Sequence, residues 1–298
     1  MYDAKWIFRE WYTTSWRPWF PTDFRWRQFR FMCFDGKWIK FPKPRTRIRF
    51  KSKLIQIIKT TVPKHAYYTA LKFLDPSTFG PKDINVPCLG GDLVFDVDIL
   101  NNPTNISIKG YKQAINIIFR LKDTLNEMGF KKMFYVFTGF KGFQLHVLDF
   151  DPYEFIKEDK MQTVRLKAED KARKLITDLI ISKGIPIDAQ VTRDIKRIVR
   201  LPNTLHGKTS LKSFILNNHE LNEISEDPLK LKEKAVPKPF KSIVKTRLSR
   251  ISVKNINFFD EKYSLCEGTN ELPLVAVLIL MLNKFASVSI ESRLIPEY

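Results

Sequence analysis

The stretch from Leu93 to Val147 constrains the fold more than any other part of the chain. Its first six residues, LVFDVD, combine β-branched and aromatic side chains with two carboxylates and read as a strand. Residues 109–128 set Ile115, Ile117, Ile118, Leu121 and Leu125 close to a helical stripe, with Gly129 as a stop. Met133 to Phe137 reads as a second strand. A glycine-bearing turn follows at Thr138 to Gly142. Phe143, Leu145 and Val147 then alternate with Gln144 and His146, as in the returning arm of a hairpin. A strand, a helix and a hairpin in succession predict an α/β (α+β) domain around a mainly antiparallel central sheet flanked by helices.

Further along, residues 161–183 predict a helix ended near Gly184. Ile195 to Leu201 forms a short basic segment closed by Pro202, and residues 212–218 suit a strand. The Pro- and Lys-rich segment 227–241 reads as a surface loop or linker. Residues 242–298 return to apolar character. Leu274 to Leu282 is a run of nine apolar residues, far short of the roughly 20 that span a bilayer, and reads as a buried helix. No internal repeat is visible. Residues 1–298 therefore read as one domain, with the 227–241 loop inside it.

Charge narrows the partners. The chain carries 51 Lys and Arg against 32 Asp and Glu, a net charge of +19. Such an excess points to a polyanion, nucleic acid before membrane, with a general solubility bias as the plainer account. Cys33, Cys88 and Cys266 are scattered and form no CxxC pair, which argues against a cysteine zinc site and a disulfide framework. Reduced thiols and the lack of a signal-peptide pattern predict a cytoplasmic protein. All six tryptophans lie within residues 1–60, among many arginines. That mixture fits stacking and phosphate contact with a single strand, and equally fits core aromatics beside a solvated basic face.

Three segments carry candidate chemistry. Asp96 and Asp98, two apart on a strand, share one face. Adjacent carboxylates repel unless a cation sits between them, so the pair suits Mg²⁺ or Mn²⁺, although a solvated strand end has the same spelling. In the turn, Gly139 and Gly142 allow the backbone to approach a ligand. Thr138 offers a hydroxyl there and Lys141 a charge, with Gln144 and His146 on one face beyond; a plain hairpin turn is the alternative. The third segment begins at Asp188 and runs through Arg193, Lys196, Arg197 and Arg200 to His206 and Lys208. Cations beside acids suit a site where metal-bound triphosphate meets a nucleic-acid end; a helix laced with ion pairs would look similar.

Together these segments resemble the archaeo-eukaryotic primase superfamily, and within it the primase small subunit. Val94-Phe95-Asp96-Val97-Asp98 is similar to the family's hhhDhD strand. Thr138, Gly139 and Gly142 match its SGxxGxH turn. Asp188 and Arg200 to Ser210 match an acid leading into its RhPxSLHGKxG-like stretch. The 18-residue interval from Asp188 to His206 is like the family's, which favours Asp188 over Asp194 as the third acid. Trp26 to Phe31 looks like the family's REFxF segment, Pro63 to Tyr68 its PxHxYYS segment, and Leu272 to Lys284 its C-terminal helix, so the likeness covers nearly the whole chain. Two departures stand out. Gln144 occupies the place of the second motif's histidine, with His146 two residues on as a substitute or Gln144 itself as donor. The cysteine-rich insertion after the first motif is replaced by a short loop, about Ile99 to Ile108, so no zinc knuckle is expected.

The resemblance implies a primase catalytic domain and a DNA primase activity. Asp96, Asp98 and Asp188 would hold two divalent cations, Mg²⁺ or Mn²⁺, with no zinc. Thr138, Gly139, Lys141, Gly142, Arg200, His206 and Lys208 would bind the NTP or dNTP, with Gln144 or His146. Partners would be a single-stranded DNA template, a primer, and a primase large subunit in a heterodimer. A standalone primase-polymerase or repair polymerase, a weakly active nucleic-acid-binding paralogue, and a basic RNA-binding module are the other readings.

Overall fold

The computed structural model describes residues 2–79, 87–148, 150–156 and 164–292. Its centre is a four-stranded antiparallel sheet in the order Phe214–Leu216, Met133–Phe137, Gly142–Val147, Leu93–Asp98. The expected strand, helix and hairpin are all present, the helix as Ile108–Glu127. Ser107 caps this helix by accepting the Gly110 N–H. Its buried stripe, from Tyr111 to Leu125, faces the sheet, and the Tyr111 hydroxyl donates to the Phe140 carbonyl in the turn at 2.7 Å. That bond ties the helix to the site-bearing turn.

A second antiparallel sheet, here the N-terminal sheet, has the order Ile198–Arg200, His65–Thr69, Phe29–Met32, Trp38–Phe41. One face packs Phe29, Phe31, Ala66, Tyr68 and Val199 into the core that also takes Phe8, Trp11 and Tyr12 of the N-terminal helix Ala4–Thr14. Arg27, 2 % exposed, clamps the two sheets together. It donates to the Thr69 and Ala70 carbonyls and to the carboxylates of Asp23 and Asp92, the last lying next to Leu93. The Asp92 N–H also bonds the Ala70 carbonyl. The clamp fixes where the acid-bearing strand lies relative to the basic strand Ile198–Arg200.

Beyond these sheets, the helix expected over 161–183 is Arg165–Ser182; residues 161–163 lie outside the described residues. The segment 227–241 is not the loop its composition suggested. Helix Leu229–Ala235 and a 3-10 turn Lys238–Lys241 occupy most of it. Leu231 and Ala235, four apart, bury one face, and the prolines stand only at the ends where a helix tolerates them. The apolar run is helix Leu274–Asn283, buried on nearly all sides, as expected of a helix without a polar face. No helix among the described residues is long and apolar enough to cross a membrane.

Candidate active site

Register builds the site. Pairing sets Asp96 opposite Gln144 and Asp98 opposite Gly142. The Gln144 amide stands 3.5 Å from Asp96 Oδ2, and Lys141 Nζ bonds Asp98 Oδ2 at 2.9 Å. Asp96 is 7 % exposed and its Oδ1 has no hydrogen-bond partner. Burial, with the Asp98 charge beside it, pushes its carboxyl up to about 7. The turn needs its glycines. A Cβ on Gly142 would stand 1.9 Å from the Val97 carbonyl oxygen, and Gly139, at φ 89°, would press one within 2.8 Å of His206 Cβ.

Asp188 arrives from a distant part of the chain. Its N–H donates to the Asp96 carbonyl at 2.9 Å, and its charge is among those raising the Asp96 pKa. Its carboxylate, however, caps the short helix Ala189–Arg193 by accepting the Gln190 N–H at 3.0 Å. Among the described residues no group of three His, Cys, Asp or Glu side chains is gathered closely enough to hold a metal ion. The two strand acids are side by side; the third neighbours them through its backbone.

The facing wall is cationic and comes from the N-terminal sheet. Asp96, Asp98, Thr138, Lys141 and Gln144 share a cavity of about 190 Å³ with Tyr67, Arg197, Arg200 and His206. Arg200 is 5 % exposed. It donates to His65 Nδ1 at 3.1 Å and lies over the Tyr67 ring at 4.5 Å, while its other terminal nitrogen, Nη1, has no partner. Burial, with Arg200 nearby, drives both His65 and His206 far below the usual histidine range, so both rings are neutral. His206 Nδ1 accepts the Lys208 N–H at 3.3 Å, which leaves Nε2 as its N–H donor. A buried cation with an unfilled donor, beside neutral ring donors, is a built anion site.

Five expected residues do not line this cavity: Asp188, Gly139 and Gly142, described above, and Lys208 and His146. Lys208 is exposed and acts on His206 only through its charge and backbone. His146 shares the Gln144 face but lies one strand repeat away, roughly 7 Å. It is fully buried, stacked on Phe134 at 4.5 Å, and its Nδ1 meets Asp92 at 3.4 Å. It cannot replace the missing histidine. Tyr67 and His65 have no site role from sequence, and Arg197 only a place in the basic run. The 63–68 segment was the signal for His65 and Tyr67, and the basic run for Arg197. A larger cavity of about 620 Å³ opens near Trp19, Tyr68 and Phe134; it contains none of the strand acids, and the chemistry favours the smaller one.

Paired carboxylates facing buried donors of positive charge are the arrangement that phosphoryl or nucleotidyl transfer calls for. Residues 95–216 match the protein family described as DNA primase small subunit. The chain is 28% identical over 66% of its length to a DNA primase small subunit of Pyrobaculum islandicum, covering 72% of that protein. It is 25% identical to those of Thermoplasma volcanium, over 86% of this chain and 88% of the relative, and Archaeoglobus fulgidus, over 77% and 82%. The polymerase domain of Mycobacterium tuberculosis ligase D, solved in complex with DNA, overlays 71% of this chain and 86% of its own at 12% identity, with a TM-score of 0.41. The chain thus resembles the archaeal DNA primase small subunits over most of its length.

Proposed function

We propose that this chain is the catalytic small subunit of a DNA primase, a template-directed nucleotidyltransferase that synthesises or extends primers on single-stranded DNA. The observation that carries the reading is the pairing of Asp96 and Asp98 across one small cavity from Arg200 and His206. The family match and the similar archaeal small subunits support it.

The acids suit a divalent cation. A buried carboxylate with an unpartnered oxygen, held up to about 7 by burial and its neighbour, is relieved by positive charge. Asp96 and Asp98 would hold Mg²⁺ or Mn²⁺; Asp188, whose carboxylate accepts the Gln190 N–H, would have to turn from that cap to join them. Such ions lend Lewis-acid charge to a triphosphate and lower the pKa of a bound hydroxyl. The protein's own groups do the rest. Arg200 Nη1 and the His206 Nε2 proton would bind the triphosphate, with Thr138 beside them in the lining. Lys141 neutralises Asp98 until a cation takes that role. Gln144 orients Asp96 through its amide and, being neutral, adds less to phosphate binding than a charged group would. The relatives are named small subunits, and by that likeness we take the chain to work beside a large subunit.

The direct test is primer synthesis on a single-stranded template with Mg²⁺ or Mn²⁺, with NTPs and dNTPs in separate reactions, with and without a large subunit. Synthesis that vanishes in Asp96→Asn and Asp98→Asn is the expected result. Full activity in both variants would sink the proposal.

A further inference from the structure

Of the chain's tryptophans, Trp11 and Trp16 are core residues, 5 % and 4 % exposed, whereas Trp38 is 50 % exposed. Trp38 stands on the outermost strand of the N-terminal sheet. Its ring lies 5.8 Å from that of Tyr67, which lines the acid cavity. The register draws a line of side chains from that cavity to the sheet edge. Arg200 is opposite Tyr67, Tyr67 opposite Arg30, and Arg30 opposite Lys40. Directly opposed residues share a face, and at about 4.8 Å per strand the line covers roughly 15 Å. Past Lys40 the exposed cations continue as Lys43, Arg45, Arg47, Arg49, Lys51 and Lys53, and no acidic residue occurs between Asp35 and Asp75.

We infer that this face of the N-terminal sheet is the track that holds single-stranded DNA as it approaches the acid cavity. Trp38 stacks on a base, and Arg30 and Lys40 hold phosphates on either side of it. The occupant follows from the chemistry. An exposed indole next to cations needs a bare base face, which a single strand offers and a duplex hides. A row of cations in which Arg30 feels the Asp194 charge and no acid interrupts the sequence from Gly36 to Leu74 matches a polyphosphate backbone. The inference deepens the primase reading and rests on it for the strand's purpose, but the binding itself needs no catalysis.

The experiment is fluorescence anisotropy of a labelled oligodeoxynucleotide on the full chain, with neither nucleotide nor divalent cation present. Trp38→Ala is expected to weaken binding about tenfold, and Trp38→Phe to stay within about threefold of wild type, because a ring remains to stack. Lys40→Ala is expected to lower the slope of log affinity against log salt by about 0.7, the value for one lost single-strand phosphate contact. Lys245→Ala, on strand Ile243–Ser249 of another sheet, should leave that slope unchanged. Unaltered binding by Trp38→Ala, or an equal loss for duplex and single strand, would overturn the track. So would a preference of more than tenfold for RNA of the same sequence. Binding losses as expected in a protein that makes no primer would uphold the track and count against the catalytic reading alone.

Discussion

His65 Nδ1 accepts a hydrogen bond from the Arg200 guanidinium at 3.1 Å, and the Gly207 N–H also points at it, at 3.4 Å. The ring stays neutral because burial, then Arg200 and Lys64, oppose its protonation. It is therefore an acceptor at every working pH, and it fixes one arm of Arg200 so that Nη1 is left for the ligand. His65→Ala should raise KM for the nucleotide about tenfold, the worth of one charged hydrogen bond, with a smaller change in kcat. Asn, whose side-chain oxygen can stand in for Nδ1, should recover most of the loss. Since neither His65 nor His206 titrates near neutrality, an inflection of KM between pH 6 and 8 should belong to Asp96, held up to about 7, and should persist in His65→Asn. Its loss in that variant would contradict the assignment of neutral rings.

Asp96 stores unfavourable energy in the metal-free protein. Its oxygen is unpartnered and Asp98 is next to it. Because its folded pKa is raised, its ionisation costs stability as pH climbs from about 4 to about 7. Asp96→Asn should therefore raise Tm at pH 8 without divalent ions while abolishing primer synthesis. Thermal melts of the two proteins side by side decide it. A variant that melts lower than wild type would mean that the carboxylate is better satisfied than its burial indicates.

Gln144 and His146 separate function from packing on one strand face. Gln144→Ala should raise the nucleotide KM several-fold and leave the melting temperature nearly unchanged. His146→Leu should do the reverse, losing about 1–2 kcal/mol with the Asp92 contact and the Phe134 stack, and leaving KM alone. Steady-state kinetics with melting curves on both variants would show whether the phenotypes divide this way.

Arg27 is the clamp between the sheets. Burial alone would raise the Asp92 carboxyl, but Arg27, followed by His146, outweighs it and holds the pKa at about 2. A folded value below the unfolded one gives stability that is present above about pH 4 and lost as pH falls towards 2. Arg27→Met leaves that carboxylate buried without its main counter-charge and should cost about 3–5 kcal/mol at pH 7. The gap between the proteins should narrow on acidification. Urea denaturation at pH 7 and pH 3.5 would reveal a constant gap if the clamp carried no charge energy.

Local pattern made the strand Leu93–Asp98, the helix Ile108–Glu127 and the hairpin legible, because each is written in a contiguous period. The acids and the basic run were legible for the same reason. What composition misread was 227–241, where Pro228 and Pro237 flank a helix instead of breaking one. What it could not reach was pairing at a distance. Tyr67 joins the site because it lies opposite Arg200, 133 residues on. His146 was assigned to the correct face, yet a strand advances about 7 Å in two residues, enough to leave the cavity.

Strand Leu93–Asp98 is the last in its sheet, and an outermost strand offers bare amides and carbonyls to any passing copy. The Asp188 N–H occupies the Asp96 carbonyl on that rim. The segment that brings the third acid close thus also covers part of the strand's open edge.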